Sequence, residues 1–303
     1  MSDKPPVGIV GVGLLGGAVA GVLIDAGYSV FGYDVSPDRM EALKSRGGQP
    51  AESAADVARR AEPVFTILPT LDSVERAIAG SNGILEGARE STVILQMSTI
   101  SAPLAERMEA VSRDRGAAFL DAPVSGTSAM VARRDCVITV GGEADAFERC
   151  RPLLETLARR VFHVGRCGMG SHVKLVTNLI MGLNSVALAE GLTLARRAGL
   201  DLEQMIEILS QGAAASKMLE VRGPRVAHGR FDPMMKIDLF LKDIHLMLDA
   251  AHALHVPLPL TGVMQQLYTA AVARGQAKED LAGVARVYEA IAGIPVHTAK
   301  GEG

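Results

Sequence analysis

Short apolar runs and longer helical patterns alternate along the first half of the chain. The apolar runs predict strands at residues 7–10, 28–33, 63–68, 92–95, 117–120 and 136–140. Helical periodicity, as over residues 14–26, lies between most of these runs. Strands that alternate with helices form a parallel sheet with helices on both faces. The pattern therefore predicts an α/β fold with a doubly wound, mainly parallel sheet.

The second half of the chain has almost no strand pattern after about Gly168. Its periodicity predicts helices at residues 170–198, 201–212, 216–228, 238–255, 258–274 and 280–292. We therefore expect two domains, residues 1–166 and an all-α domain at residues 167–303, joined by the first long helix. Its most apolar stretch, residues 175–189, is shorter than a usual membrane span and predicts a buried core helix. The acidic pair Glu279 and Asp280 predicts a solvated helix start.

Composition and charge exclude several classes of partner. The 303 residues include 31 Lys and Arg against 34 Asp and Glu, a formal charge of −3, and aromatic residues make up 4%. Nucleic-acid binders carry a clustered basic excess and aromatic stacking platforms, so we expect no nucleic acid and no membrane as partner. Cys136, Cys150 and Cys167 form no CxxC pair. We therefore expect no disulfide framework, no metal site and a cytoplasmic location.

A glycine motif connects the first predicted strand to the first predicted helix. In Gly11-Val12-Gly13-Leu14-Leu15-Gly16, the first glycine permits a tight turn, the second admits a pyrophosphate and the third allows close helix–strand packing. The diphosphate then lies on free N–H groups at the positive helix end. Asp34, at the end of the second strand, can bind ribose hydroxyls and would repel the 2′-phosphate of NADP. We expect dinucleotide binding with NAD favoured, while the nearby Arg39 leaves NADP possible.

A lysine stands near the start of the long uncharged helix. Lys174 follows Gly168 and Gly170, Asn178 lies one helical turn later on the same face, and no further charge occurs until Glu190. Oxidation of an alcohol by hydride transfer needs a base for the hydroxyl proton, and reduction needs the same group as an acid. Burial, the positive helix start and an oxidised nicotinamide would all favour a neutral amine. Lys174 is therefore the candidate general acid–base, and a solvated surface lysine is the alternative interpretation.

A polar loop follows the strand predicted at residues 117–120. It runs from Asp121 through Ala-Pro-Val to Ser125, Gly126, Thr127 and Ser128. Ligands bind α/β proteins at the carboxyl edge of the sheet, and this loop offers hydroxyls from Ser125 and Thr127 with backbone N–H groups near Gly126. It is a candidate cradle for a small carboxylate, and an ordinary Pro/Ser/Gly-rich loop is the alternative.

These residues resemble the β-hydroxyacid dehydrogenase family, whose members include 3-hydroxyisobutyrate dehydrogenase and 2-hydroxy-3-oxopropionate reductase. The resemblance covers essentially the whole chain and rests on six motifs in the family's order. They are residues 9–16, Leu68-Pro69, Met97-Ser98-Thr99-Ile100, residues 121–126, Gly168-Met169-Gly170 with Lys174 and Asn178, and Lys242-Asp243.

The resemblance implies a Rossmann dinucleotide-binding domain at residues 1–166 and a helical substrate and oligomerisation domain at residues 167–303. It implies an NAD(P)-dependent dehydrogenase that interconverts a small β-hydroxy acid and its semialdehyde, assembled as a homodimer or homotetramer. In this interpretation Lys174 is the general acid–base and Asn178 orients the substrate.

The resemblance also implies binding roles for other residues. The substrate would contact Ser125, Gly126, Thr127 and Phe231, with core packing as the alternative role of Phe231. Beyond the glycine motif and Asp34, the cofactor would contact Leu68, Pro69, Thr99 and Lys242.

Several positions depart from the family pattern. The family often has Met at the position of Leu15. It commonly has Ser-Gly-Gly in place of Ser125-Gly126-Thr127, and Gly-Thr in place of Arg134-Asp135. Thr127-Ser128-Ala129 is similar to the sulfolactaldehyde reductase branch, which has Arg at the position of Gly126. A semialdehyde reductase of that type is therefore an alternative. A catalytically inactive cofactor-binding interaction module and an imine reductase are further alternatives, and both usually lack the lysine found at position 174.

Overall fold

The computed structural model describes residues 4–296, in which strands and helices alternate first and helices follow alone. The strands are β1 (Val7–Val10), β2 (Val30–Tyr33), β3 (Gln49–Pro50), β4 (Val64–Thr66), β5 (Val93–Gln96), β6 (Ala118–Asp121), β7 (Val124–Ser125), β8 (Val137–Val140) and β9 (Arg160–His163). The helices among them are α1 (Leu14–Asp25), α2 (Pro37–Ser45), α3 (Ala54–Arg60), α4 (Leu71–Ala79), α5 (Ile84–Gly87), α6 (Ala102–Arg113), α7 (Ser128–Ala132) and α8 (Ala144–Leu157). The later helices are α9 (Met169–Arg197), α10 (Leu202–Gln211), α11 (Lys217–Ala227), α12 (Ile237–Ala253), α13 (Pro259–Ala273), a 3-10 turn (Leu281–Val284) and α14 (Ala285–Ala292).

Six parallel strands form the main sheet, in the order β3-β2-β1-β4-β5-β6. This is the strand order of dinucleotide-binding folds. Neighbouring residues of a strand pack on opposite faces: Ile9 belongs to one buried cluster and Val10 to another, and Leu95 and Ile94 divide in the same way. Both faces are therefore covered, as the continuous apolar runs indicate, and the predicted doubly wound α/β fold is confirmed.

A second, three-stranded sheet departs from the expectation of one sheet. The run at residues 136–140 forms β8, which pairs antiparallel with β7 and parallel with β9 rather than extending the main sheet. The sequence pattern missed β7 because it has two residues, and β9 because three of its four residues are exposed. Asp121 and Gly141 exchange backbone hydrogen bonds of 2.9 and 2.8 Å, which link the end of β6 to the end of β8.

The chain separates into two compact units, residues 1–174 and 175–303. The predicted all-helical second half is confirmed, while the domain boundary between residues 166 and 167 stays a prediction. In the second unit the rings of Phe240 and Tyr268 pack edge to face at 5.2 Å. A Cβ at Gly182 would lie 2.5 Å from the Phe240 ring, so this glycine allows α12 to pack closely on α9.

A buried ion pair replaces the solvated helix start expected at Glu279 and Asp280. Asp280 is fully buried, and its two carboxylate oxygens accept from Arg222 Nε at 2.8 Å and Nη2 at 3.2 Å. The same carboxylate accepts from the backbone N–H groups of Met234, Met235 and Ala282. These bonds satisfy the acid completely, which is why a charged residue is stable in this position.

Helix α9 is amphipathic rather than buried all round. Leu175 and Ala189 are buried, whereas Val176 and Ile180 are more than half exposed. Within the described residues α9 is the one helix long and apolar enough to cross a bilayer, and 39% of its most apolar stretch is buried. Core helices of folded proteins meet the same criterion, so this property is weak evidence for a membrane span.

The three cysteines are free and buried in the first unit. Burial raises the pKa of the Cys136 and Cys150 thiols to about 11 and also raises that of Cys167. The thiols are therefore protonated and unreactive in the folded protein.

Candidate active site

The glycine motif forms a tight turn between β1 and α1. Gly11 has φ +94°, a conformation that favours glycine, and a Cβ there would lie 2.2 Å from the carbonyl oxygen of Ile67. A Cβ at Gly16 would lie 1.9 Å from the carbonyl oxygen of Gly11. Gly13 precedes α1, which starts without a side-chain cap, and Leu14 is exposed. The helix start therefore offers backbone N–H groups, the arrangement that binds a diphosphate.

Asp34 is held against this turn. Its Oδ2 accepts from the backbone N–H of Val12 at 3.0 Å and its Oδ1 from that of Ser36 at 3.0 Å. Arg39 Nη1 lies 3.4 Å from Oδ2 and 3.3 Å from the position of a Cβ on Gly13. The structure thus places both the acid and the arginine beside the glycine turn.

A buried amide joins the loops that follow β4 and β5. Gln96 Oε1 accepts from Ser98 N at 2.7 Å, and Gln96 Nε2 donates to the Ser98 carbonyl at 2.8 Å. The Ser98 hydroxyl in turn accepts from Leu68 N at 2.8 Å. This network holds the backbone at Leu68 next to Ser98, the residue that precedes Thr99. Sequence reasoning missed Gln96, although a fully buried amide inside an apolar strand is a recognisable signal.

The loop from Ser125 to Thr127 is shaped by local contacts. Ser125 pairs with Val137 across β7 and β8, and a Cβ at Gly126 would lie 2.8 Å from Cβ of Cys136. Thr127 caps α7, and its hydroxyl oxygen accepts from Met130 N at 3.3 Å. Arg134, where the family pattern has glycine, adopts φ +58°. The Thr127 hydroxyl accepts this bond through its oxygen and so retains its proton for donation to a ligand.

The glycines before Lys174 allow α9 to start in close contact with the two sheets. A Cβ at Gly170 would lie 2.2 Å from the carbonyl oxygen of Asp121 and 3.0 Å from that of Thr139. Ser171, in the first turn of α9, donates to the Asp121 carboxylate from its backbone N–H at 2.6 Å and from its hydroxyl at 2.8 Å. Lys174 follows three residues later and is partly buried.

Asp121 is a buried acid that sequence reasoning named only as the start of a loop. Burial raises the pKa of its carboxyl to about 6, and hydrogen bonds from Ser171 and from the backbone of Gly168 oppose that rise. The group is therefore ionised at neutral pH while fully enclosed by protein. Asp121 caps the start of α9 from a position 50 residues earlier in the chain than Ser171. A cap formed by the residues just before the helix could have been recognised in the sequence, but this one could not.

In the second unit, Asn178 belongs to a buried polar cluster. Asn178 Nδ2 donates to Asp243 Oδ2 at 2.8 Å, and Lys242 Nζ lies 3.0 Å from Asp243 Oδ1. Asn178 and Asp243 are both almost fully buried. The bond to Asp243 fixes the orientation of the amide and leaves Asn178 Oδ1 for another partner. Asp243 is a second residue that the sequence analysis quoted in a motif without giving it a role.

Phe231 lies in a different cluster of the second unit. Its ring is 5.7 Å from the guanidinium of Arg286, and its carbonyl oxygen accepts from Asp280 N at 2.9 Å. This environment fits the packing role left open for Phe231. Over residues 4–296 no group of three or more His, Cys, Asp or Glu side chains could hold a metal ion.

Comparison with known proteins covers both halves of the chain. Residues 6–165 match the NAD-binding domain of 6-phosphogluconate dehydrogenase, and residues 168–288 match the NAD-binding domain of NADP-dependent 3-hydroxyisobutyrate dehydrogenase. The 2-(hydroxymethyl)glutarate dehydrogenase of Eubacterium barkeri is 33% identical over 98% of this chain and 99% of its own length. An L-threonate dehydrogenase of Escherichia coli is 33% identical over 94% of this chain and 95% of its own.

The fold has a close counterpart among solved structures. The crystal structure of 3-hydroxyisobutyrate dehydrogenase from Salmonella typhimurium aligns with a TM-score of 0.86 and 31% identity, covering 94% of this chain and 100% of that chain. The predicted class of nicotinamide-dependent dehydrogenase is confirmed, and no finding favours the reductase or non-catalytic alternatives. With both domain types matched in order and relatives spanning nearly its full length, the chain belongs to the β-hydroxyacid dehydrogenase family.

Proposed function

We propose that the protein is an NAD-dependent dehydrogenase that interconverts a small β-hydroxy acid and its semialdehyde. The observation that carries the proposal is the place of Lys174, one turn after an anchored helix start and one turn before the oriented amide of Asn178. The relatives named above are dehydrogenases whose names specify hydroxy-acid substrates, which supports the substrate class.

The proposed proton transfer uses Lys174. When bound, a nicotinamide cofactor would supply the hydride acceptor for alcohol oxidation and the hydride donor for reduction. In oxidation the Lys174 amine takes the proton of the substrate hydroxyl, so that the alcohol carbon becomes a carbonyl and the lysine becomes an ammonium. In reduction the ammonium returns this proton to the carbonyl oxygen. Asn178 Oδ1 orients the substrate hydroxyl, because Asp243 already holds the amide nitrogen.

We assign most of the substrate and cofactor contacts to loops of the first unit. Ser125, Gly126 and Thr127 would bind the substrate carboxylate with hydroxyl and backbone donors. The glycine turn fits a dinucleotide, because side chains are sterically excluded at Gly11 and Gly16 and the start of α1 has no side-chain cap. Leu14 and Leu15 continue this turn, while Leu68, Pro69, Thr99 and Lys242 complete the proposed cofactor contacts.

We infer NAD as the preferred cofactor because the Asp34 carboxylate would repel a 2′-phosphate. We further propose a cytoplasmic homodimer or homotetramer. The free, buried cysteines support the location, since they provide no disulfide.

The test is steady-state turnover of the purified protein with 3-hydroxyisobutyrate, glycerate, L-threonate, 2-(hydroxymethyl)glutarate and 2,3-dihydroxypropane-1-sulfonate, each with NAD and with NADP. We expect turnover of at least one β-hydroxy acid, with NAD preferred. Lys174→Ala should lower kcat by at least about 100-fold, while NADH binding measured by fluorescence stays within twofold. Normal turnover by Lys174→Ala, or turnover of none of these acids, would refute the proposal.

A further inference from the structure

The start of α9 is anchored by a carboxylate from a distant strand end. Helix starts leave up to four N–H groups without a partner inside the helix, and a local side chain usually caps them. Here the cap is Asp121, which accepts from the backbone N–H and the hydroxyl of Ser171 and from the backbone of Gly168. We propose that Asp121 is a positioning residue that acts through Ser171 to fix the helical turn presenting Lys174. This inference rests on the proposed function of Lys174.

The anchor is rigid because Asp121 is held by its backbone as well as by its side chain. Its N–H and carbonyl both bond to Gly141, at 2.9 and 2.8 Å. Its carbonyl oxygen also closes the space beside Gly170, where a Cβ would lie 2.2 Å away. Asp121 therefore connects β6, the end of β8 and the first turn of α9 in one fully buried contact.

A charged carboxylate is not required to cap the start of α9. A neutral Ser or Thr side chain can cap a helix start, whereas an ionised acid buried from water opposes folding unless its bonds compensate. Burial raises the pKa of Asp121 to about 6, so this acid remains charged at neutral pH in spite of its enclosure. Charged hydrogen bonds are about twice as strong as neutral ones, and they restrict the turn more tightly.

The position of the first turn of α9 determines where the Lys174 amine lies for the proposed proton transfer. Ser171 precedes Lys174 by three residues, which corresponds to about 4.5 Å along the helix axis. A displacement of a reacting group by about 1 Å can lower the rate by about 100-fold without changing binding. Loss of the anchor should therefore appear in kcat and not in KM.

The first test compares two buried serines of α9. Ser171→Ala removes the hydroxyl bond to Asp121 and keeps the backbone N–H bond. Ser185→Ala removes a hydroxyl that donates to the Met181 carbonyl at 2.9 Å, at a residue that is equally buried. We expect Ser171→Ala to lower kcat by about 10-fold, with substrate KM and NADH affinity within twofold. Ser185→Ala should retain the kcat of the wild type.

The second test separates the anchor from the charge. In Asp121→Asn the amide oxygen can accept from the Ser171 and Gly168 N–H groups, and the amide nitrogen can donate to the Ser171 hydroxyl oxygen. Asp121→Ala keeps none of these bonds. We expect kcat to fall in the order wild type, Asn, Ala, with the Asn variant recovering at least about 10-fold over Ala.

A third measurement does not depend on turnover. Hydrogen exchange of a peptide covering residues 168–175 should accelerate at least about threefold in Ser171→Ala and stay unchanged in Ser185→Ala. Equal kcat and equal exchange in the two serine variants would overturn the proposed anchor. This comparison remains decisive even when Asp121→Ala does not fold. If wild-type protein turns over no β-hydroxy acid but the exchange result holds, the proposed function fails and the structural anchor stands. If Lys174→Ala is inactive but Ser171→Ala matches wild type, only the anchor fails.

Discussion

At the scale of single residues, Asp34 combines two functions in one carboxylate. It supports the glycine turn through Val12 N and it presents negative charge where a ribose would bind. Arg39 lies within 3.4 Å of the same oxygen. If the proposed cofactor site is correct, the choice between NAD and NADP depends on the balance between this acid and this base.

We predict that Asp34→Ala reverses this balance. Loss of a charged hydrogen bond of about 1.5–3 kcal/mol should lower kcat/KM for NAD by about 10–150-fold. For NADP kcat/KM should rise, because Arg39 loses its partner and the 2′-phosphate meets no repulsion. Steady-state kinetics with both cofactors measures this change, and Asp38→Ala, an exposed acid of α2, is the control. An unchanged ratio of the two kcat/KM values would contradict the prediction.

Asp121 predicts a pH dependence of stability. The folded pKa of about 6 exceeds the ordinary value of 3.8, so between these values the folded protein holds the proton more tightly than the unfolded chain. This group therefore stabilises the fold most at low pH, and its contribution falls by about 1–2 kcal/mol as the pH rises from 5 to 7.5.

Asp121→Asn should remove that slope. Urea unfolding of both proteins at pH 5 and pH 7.5 measures it, and the difference in unfolding free energy should shift by about 1–2 kcal/mol in favour of the variant at the higher pH. Two parallel pH curves would show that the carboxyl does not titrate in this range.

Residue-scale prediction from the sequence works best where a residue belongs to a spaced motif. Asp34 follows a strand at a fixed distance from the glycines, and the structure places it beside their turn, while its role toward a cofactor stays a prediction. Asp121 and Gln96 were not given roles, because their significance depends on Ser171 and Ser98, and on burial that no local pattern encodes. The proposed roles of Lys174 and Asn178 stay predictions.

At the scale of elements, the ends of β4 and β5 are joined by one side chain. Gln96 bonds the backbone of Ser98 twice and accepts from Thr66 Oγ1 at 3.3 Å. All of these atoms are enclosed by protein. The spacing between the loops carrying Leu68 and Thr99 therefore depends on Gln96.

We predict that Gln96→Leu destabilises the fold by about 2–4 kcal/mol, because it leaves buried backbone groups of Ser98 without partners. The cofactor KM should rise at the same time, because both proposed cofactor loops lose their spacing. Denaturant unfolding and NADH titration measure the two effects, with Gln49→Leu on exposed β3 as the control. A variant with normal NADH affinity would show that the loops are fixed by other contacts.

Prediction of elements from the sequence was accurate for long, strongly apolar segments and failed for short ones. The buried strands of the main sheet and the later helices were placed within a few residues. The second sheet was missed because β7 is two residues long and β9 is largely exposed, so neither shows an apolar alternation.

At the scale of the whole molecule, the second compact unit contains a buried ion pair. Arg222 and Asp280 are both enclosed by protein. The pair connects α11 to the 3-10 turn and to the loop that contains Met234 and Met235. The sequence could show neither partner, because 58 residues separate them.

We predict that Asp280→Ala lowers the unfolding free energy of the second unit by about 3–5 kcal/mol, because a buried guanidinium loses its counter-charge. The control is Asp232→Ala. The Asp232 carboxylate is exposed and lies 3.6 Å from Arg225 Nη2, and the bond from Arg225 to the Asp232 backbone carbonyl is kept in the variant, so stability should change by less than about 1 kcal/mol. Calorimetry measures both variants. A small effect of Asp280→Ala would mean that water reaches Arg222 in the variant.

The buried thiols can serve as natural probes for the opening of the first unit. All three cysteines of the chain lie in the first unit, and the second has none. An alkylating reagent added to native enzyme can label only molecules in which this unit has opened. The rate of modification thus reports the opening of the nucleotide-binding half alone, without any engineered probe, and can be set beside calorimetry to learn whether the two halves melt together.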